Sequence, residues 1–542
     1  MAVTKSCLIN FLLAAALFAQ TNQPPLPRIV QKEGRYALFV DGAPYLILGA
    51  QVNNSSAWLA MLPKVWPAIA YLEANTVEIP VYWEQFEPEP GRFDYSMVDT
   101  LLSQAREHHV RLVLLWFGTW KNGSQHYMPL WMKRDPQRYP RLIGANGRPV
   151  DSPSPHATAT LAADKHAFAA LMRHLKASDP PRTVIMVQVE NEAGAWGSVR
   201  DYSPEAQKAF EAPVPAELLS ALHKPTSPAA NWSEAFGVDA DEFFHAWSVA
   251  HFVGQVAAAG KLEYPLPLYA NAALRDPLKP GPPGSYESGG PTDNVIPIWK
   301  AAAPALDLLA PDIYQNDPAR YLKVLDLYSR PDNPLFVPET GSFPASARFF
   351  FAALGHGAIG FAPFGIDYTG FSNAPLGAPR LNEESLAPFA LNYKLISPMM
   401  REIARLNFEG KLQTAVEKKD EHSQTLEFGP WKAIVSYGVP QFGFGNNPKG
   451  NPEPVGRALV AQLAAGQFLV AGFFCRVDFH VSNVSNASEA ASAKQREYLR
   501  VEEGAYQSGV FKLIRIWNGD QTDWGLNFSS APQVLRVTLG TY

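Results

Sequence analysis

Eight short apolar runs, each followed by a stretch with helical spacing, constrain this chain more than any other feature. They are YLILGAQV (45–52), NTVEIPVYW (75–83), VRLVLLWFG (110–118), TVIMVQVEN (183–191), PLPLYANA (265–272), LDLLAPDIY (306–314), PLFVPETG (334–341) and AIGFAPFG (358–365). Each is near-continuous in apolar residues rather than alternating, the pattern of parallel strands buried on both faces. The segments between them, such as Ser96 to His109, Thr160 to Ala177 and Phe243 to Gly260, space their apolar residues as helices that bury one face. Eight strand-helix units between about Pro44 and Asn407 predict an α/β fold, a (β/α)8 TIM barrel with insertions. The competing open, doubly wound sheet would carry a Gly-rich phosphate turn after its first strand, and LGAQVNNSS lacks the G-x-G-x-x-G spacing.

The flanks read differently. Residues 1–23 hold one Lys and an apolar run from Leu8 to Ala19, too short to span a bilayer comfortably. They predict a signal peptide cleaved near Ala19 and an exported protein, periplasmic or extracellular, with no membrane attachment after cleavage. Cleavage would remove Cys7 and leave Cys475 alone, so no internal disulfide and no cysteine metal site are expected. Asp41-Gly42 between two apolar runs predicts a tight hairpin before the barrel. Beyond about Phe408, LEFGPWKAIVSYG, GQFLVAGFFCRVDFH and VFKLIRIWNGDQTDWGLNF are short runs separated by turn residues, as in antiparallel strands. FGFGNNPKGNPEPVG (442–456) has the composition of a long exposed loop. The expected organisation is therefore a signal peptide at 1–23, a catalytic barrel at 24–407 and an accessory β-sandwich-like domain at 408–542.

A net charge of -5 with 18% charged residues offers no basic face for nucleic acid. Small or polymeric neutral partners fit better, and 13 Trp, 20 Tyr and 31 Phe supply the flat faces that stack on sugars as well as core. No H-E-x-x-H pair and no G-x-S-x-G elbow occurs, so neither a catalytic metal, another cofactor nor a serine nucleophile is expected.

Barrel active sites form at the carboxyl ends of the strands, and there the polar residues gather. The first run ends in Gln51, Asn53 and Asn54, the second in Tyr82, Trp83, Glu84 and Glu87, the third in Trp116 and Trp120. Glu190, Asn191 and Glu192 close the fourth, Asn271 the fifth, Asp312 and Tyr314 the sixth, Glu339 the seventh and Asp367 the eighth. Any one of these alone is more simply a solvated loop residue; convergence on one rim is the stronger observation. Two carboxyl groups facing each other across such a mouth are what glycoside hydrolysis requires: one donates a proton to the leaving oxygen, the other attacks or stabilises the anomeric carbon. Glu190 and Glu192 are two residues apart on a strand, so alternation points them to the same side and does not choose between them.

VQVENEAG and FVPETGS resemble the fourth- and seventh-strand motifs of the clan A retaining glycosidases, most closely the β-galactosidases of glycoside hydrolase family 35. VEIPVYWEQFEPEPGRFDYS resembles that family's second-strand region, and EYLRVEEGAYQSGVFKLIRIWNGDQTDWGLNF is similar to an accessory β-domain of its bacterial branch. The resemblance implies Glu192 as general acid/base and Glu339 as nucleophile. It further implies Asn191 at the sugar's 2-hydroxyl, Tyr314 and Asn271 as groups orienting nucleophile and sugar, and Glu87 and Trp83 as second-strand site residues. Trp196, just beyond the acid/base, is the favoured stacking platform. The sequence departs from the family at Ala193, Pro80 and Phe86, where an aromatic, a Tyr and a His are usual. The expected activity is retaining exo-β-galactosidase action on terminal β-D-galactosyl groups of oligosaccharides or plant polysaccharide side chains. The alternatives are another sugar handled by the same machinery, and a barrel that binds carbohydrate without cleaving it.

Overall fold

The computed structural model describes residues 23–224, 230–438, 448–482, 495–507 and 509–542. All but the last residue of the expected signal peptide, Cys7 included, and the first part of the Gly- and Asn-rich loop, 442–447, lie outside them. Among the described residues no helix is long and apolar enough to cross a membrane.

Strands β1 (Arg28–Lys32), β2 (Arg35–Val40) and β3 (Ala43–Tyr45) form a small antiparallel sheet before the barrel. Its second turn is the expected hairpin: Val40 pairs with Ala43, and Asp41 and Gly42 take φ of 55° and 80°, the left-handed pair a two-residue turn demands.

The barrel follows, with β4 (Ile47–Gln51), β5 (Thr76–Tyr82) and β6 (Arg111–Lys121). A short hairpin, β7 (Arg141–Ile143) and β8 (Pro149–Pro153), is inserted before helix Thr158–Ser178, and then come β9 (Val184–Asn191), β10 (Leu268–Ala273), β11 (Leu308–Ile313), β12 (Val337–Thr340) and β13 (Gly360–Pro363). The eight long-run strands are parallel and close on themselves, β13 pairing with β4. β4, β5, β9, β11, β12 and β13 are buried at every position. This is why their sequences do not alternate: one face fills the barrel and the other meets the helices. Helix Ala240–Glu263 shows the same effect, being apolar nearly all round because it packs on helix Thr158–Ser178 as well as on the sheet.

The C-terminal part is a sandwich. A six-stranded sheet runs β14 (Leu412–Val416), β17 (Arg457–Ala464), β18 (Gln467–Phe473), β23 (Val534–Thr541), β20 (Arg496–Gln507) and β21 (Val510–Trp517). A four-stranded sheet runs β15 (Ser423–Phe428), β16 (Trp431–Tyr437), β19 (Cys475–Val481) and β22 (Leu526–Phe528). In β17 and β18, Ala458, Val460, Phe468 and Val470 join the sandwich core, while Leu459, Ala461, Leu469 and Ala471 join the barrel's. The six-stranded sheet is thus buried on both faces at its centre, and one face is the seam with the barrel. Arg457 is buried in that seam, its guanidinium 4.5 Å from the Phe473 ring centre and its Nε donating to Asn392 Oδ1 at 2.7 Å.

Candidate active site

A cavity of about 930 Å³ opens at the carboxyl end of the barrel, lined from the first, third and later strands by Asn53, Lys121, Glu192, Asp312, Tyr314 and Glu339 among others.

Glu339 closes β12, and its register partner on β11 is Asp312. Three donors converge on its carboxylate. Gln51 Nε2 reaches Oε1 at 2.7 Å, Asn191 Nδ2 reaches the same oxygen at 3.3 Å, and the Tyr314 hydroxyl donates to Oε2 at 2.6 Å. The donors come from the first, fourth and sixth strands, so barrel closure, and no local feature, builds this cradle. Burial and the Glu339 charge hold the Tyr314 hydroxyl protonated, well above the usual phenol range.

Glu192 follows β9 and lines the same cavity. Its backbone N–H donates to Asn271 Oδ1 at 2.9 Å, and Asn271 Nδ2 donates to Asp312 Oδ2 at 2.6 Å. Its carbonyl accepts from Gly123 N at 3.0 Å, within a tight turn between Lys121 and Ser124 whose residues Asn122 and Gly123 have φ of 52° and 69°. Burial, and then the charge of Glu339, push the Glu192 carboxyl up to about 7, with Lys121 and Asp312 acting the other way. A carboxylic acid still protonated near neutrality is what a general acid needs.

Glu190 and Glu192 do not share a side. Both are left-handed, with φ of 63° and 44°, and the pairing of β6 with β9 slips between Trp116 and Lys121. Strand alternation therefore fails where it would have been applied. Glu190 turns toward helix Thr158–Ser178: its Oε2 accepts from Trp120 N at 2.7 Å, and its carboxyl lies against Asp164. Asp164 accepts in turn from Trp116 Nε1 at 2.9 Å and from the Thr119 N–H at 3.2 Å. Burial and the Asp164 charge raise Glu190 well above the carboxylate range, and no part of it lines the cavity.

The structure brings Glu192, Glu339, Asn191, Tyr314, Asn271 and Trp196 together. Asn191 links Glu339 to Lys121, its Oδ1 accepting from Lys121 Nζ at 2.6 Å while its Nδ2 reaches Glu339. Trp196 lines the cavity with half its surface exposed. Glu87 and Trp83 are placed elsewhere. Trp83 is fully buried against Trp116 and donates to Glu87 Oε2 at 2.7 Å; the other Glu87 oxygen accepts from Gly91 N. The short helix Trp83–Phe86 carries them off the rim, and Glu87 faces a separate lateral cleft with Trp131 and His166. The expected second-strand contribution is replaced by the end of β6.

Two residues of the constellation escaped sequence reasoning. Lys121 is buried, donates to Asn191 and sits 4.9 Å from the Phe117 ring centre; a lysine ending an otherwise apolar strand was its only signal. Glu287, in the loop GSYESGG, is buried beside the Gly123 turn, and the charge of Glu192 adds to burial in raising its carboxyl. Nothing in that loop's spacing marks it.

Comparison with known proteins adds to this geometry. Residues 67–255 match the glycoside hydrolase family 42 model, described as Beta-galactosidase, which places that segment with the glycoside hydrolases. Residues 389–529 match DUF5597, a domain of unknown function. The family 35 likeness of the sequence motifs is not supported by these matches. No curated protein matches the chain. Among solved structures it is similar to a β-galactosidase from Bacillus circulans sp. alkalophilus, at 14% identity over 66% of this chain and 57% of that one, TM-score 0.47. It is also similar to a cold-adapted β-galactosidase from Rahnella sp. R3, at 16% identity over 70% and 59%, TM-score 0.49. A third is an exo-β-1,4-mannosidase from Opitutaceae bacterium strain TAV5, at 16% over 70% and 62%, TM-score 0.42. The chain spans less than two thirds of the length of each.

Proposed function

We propose that this protein is a retaining exo-β-galactosidase acting on terminal β-D-galactosyl groups. The observation that carries the reading is a pair of carboxyl groups in one cavity with opposite surroundings. Glu339 accepts three hydrogen bonds, whereas Glu192 is raised to about 7 by burial and by its partner's charge. The family 42 match over residues 67–255 supports galactose as the sugar.

In this mechanism Glu339 attacks the anomeric carbon as Glu192 gives its proton to the departing oxygen, leaving a galactosyl ester on Glu339. Glu192, now ionised, takes a proton from water, which displaces Glu339 and releases the sugar with its configuration retained. Asn191, which donates to Glu339 Oε1 at 3.3 Å, is assigned the contact with the sugar's 2-hydroxyl. Asn271 and Asp312 hold the acid/base from its backbone side.

Release of nitrophenol from a β-galactoside, with azide added, tests both roles. Glu192→Ala is expected to be rescued to the β-galactosyl azide and Glu339→Ala to the α-azide. Two variants that keep wild-type turnover without azide would end the assignment. A panel of nitrophenyl glycosides tests the sugar, and clear preference for a non-galactoside would replace galactose while keeping the chemistry.

A further inference from the structure

The cavity is built of two unlike halves, and this inference about its outer half rests on the hydrolase reading above. The floor is charged and largely buried, formed by Glu192, Glu339, Asp312 and Lys121. The outer wall is apolar. Met61, Tyr127 and Leu274 are half-buried along it, and Trp196, Phe371 and Leu376 stand at its lip with 51%, 67% and 50% of their surfaces exposed.

These six come from the first, third, fourth, fifth and eighth strand-to-helix connections, so the collar surrounds the mouth and is not one stray hydrophobic loop. Large apolar side chains left in water around a cavity mark a surface meant to be covered. Three of the polar groups interleaved with them are engaged within the protein. Thr369 bonds Asp367 through its hydroxyl, Ser55 shares a hydrogen bond with the Tyr127 hydroxyl at 3.2 Å, and Asn53 donates to Asp367 at 3.0 Å. A second sugar in the outer half could stack on Trp196, Tyr127 or Phe371, but its hydroxyls would meet Met61, Leu274 and Leu376 and would lose hydrogen bonds to water without replacing them.

We propose that the outer half is a leaving-group subsite for an apolar aglycone, an alkyl or aryl group, and not for a further sugar. Glu192 lies on the side where the leaving oxygen departs, and Trp196, four residues on in the same connection, continues that side outward. The glycone occupies the charged floor and the aglycone runs out between Trp196 and the Phe371–Leu376 loop.

Methyl and octyl β-D-galactosides test this, because their leaving alcohols are of like acidity and differ in apolar length. The full-length enzyme is expected to give octyl a kcat/KM higher than methyl by roughly tenfold or more, since each buried methylene favours the longer chain. Phe371→Ser combined with Leu376→Ser is expected to bring that ratio down toward one. An octyl-to-methyl ratio of one in the wild type, or lactose preferred over octyl galactoside, would overturn the aglycone proposal while leaving the hydrolase reading standing. Failure to turn over any β-glycoside, nitrophenyl ones included, would overturn the hydrolase reading and the proposal with it.

Discussion

At Glu192, burial and the charge of Glu339 act in the same direction, and the result is an acid group poised for use near neutrality. The sign of the pH dependence follows. With Glu192 as the proposed general acid, which must be protonated to act, kcat/KM is expected to fall as pH rises through about 7. A rate profile in which Glu192→Gln keeps the same basic limb would assign that limb to another group. Two residues earlier, Glu190 is equally carboxylic but more deeply buried, and it faces Asp164 behind the strand. Glu190→Gln retains an oxygen to accept from Trp120 N and should leave turnover of an alkyl galactoside nearly intact. Glu192→Gln should lower it by about 100- to 10,000-fold, the range that general acid catalysis contributes. Equal losses at the two positions would contradict the placement.

At the scale of elements, the site depends on how β6 and β9 end. Both strands run past the regular ladder, slip in register, and finish in left-handed residues that aim one glutamate backward and the next into the cavity. The Lys121–Ser124 turn locks this arrangement, because Gly123 N holds the Glu192 carbonyl at 3.0 Å. Gly123 has φ of 69°, and a methyl there would lie 2.3 Å from Glu287 Oε1 and 2.9 Å from Trp196 Cδ1. Gly123→Ala is therefore expected to cost about 1–3 kcal/mol of stability. It should also depress kcat more than KM, because it displaces the acid/base and not the sugar's binding groups. A urea midpoint and kcat indistinguishable from wild type would show that the turn is tolerant.

Across the whole molecule, the long connection after β9 is anchored by a buried polar cluster with a stability consequence. His245 on helix Ala240–Glu263 is 1% exposed with neither ring nitrogen partnered, and burial pushes it down to about 3 despite nearby Asp201, with His156 and Arg200 acting further downward. Its folded value lies below the ordinary 6.5, so it folds neutral. The stability this contributes is complete above about pH 6.5 and is lost as pH falls toward 3, at up to about 1.4 kcal/mol per pH unit. His156 shifts the same way for the same reason and adds to the slope. His245→Phe should flatten the fall in urea midpoint between pH 6.5 and 4; parallel curves for variant and wild type would exclude His245 as a cause. The sandwich belongs to the same scale, since the barrel core continues into Leu459, Leu469 and Ala471 across the seam.

Local pattern determined the eight barrel strands, their order and the Asp41-Gly42 turn, because burial on both faces leaves a near-continuous apolar signature that needs no knowledge of neighbours. It also determined that Glu192, Glu339, Asn191, Asn271 and Tyr314 stand at strand ends. Tertiary structure decided the rest. Which of Glu190 and Glu192 enters the cavity turns on two backbone conformations that alternation assumes away. Glu87 and Trp83 satisfy one another off the rim, a closed local pair that spacing cannot distinguish from a site. Lys121 and Glu287 join only because segments 166 positions apart are brought around one tight turn, and the apolar collar exists only once five connections meet at one mouth. Sequence pattern records what each strand buries; only closure of the barrel decides what the strand ends face.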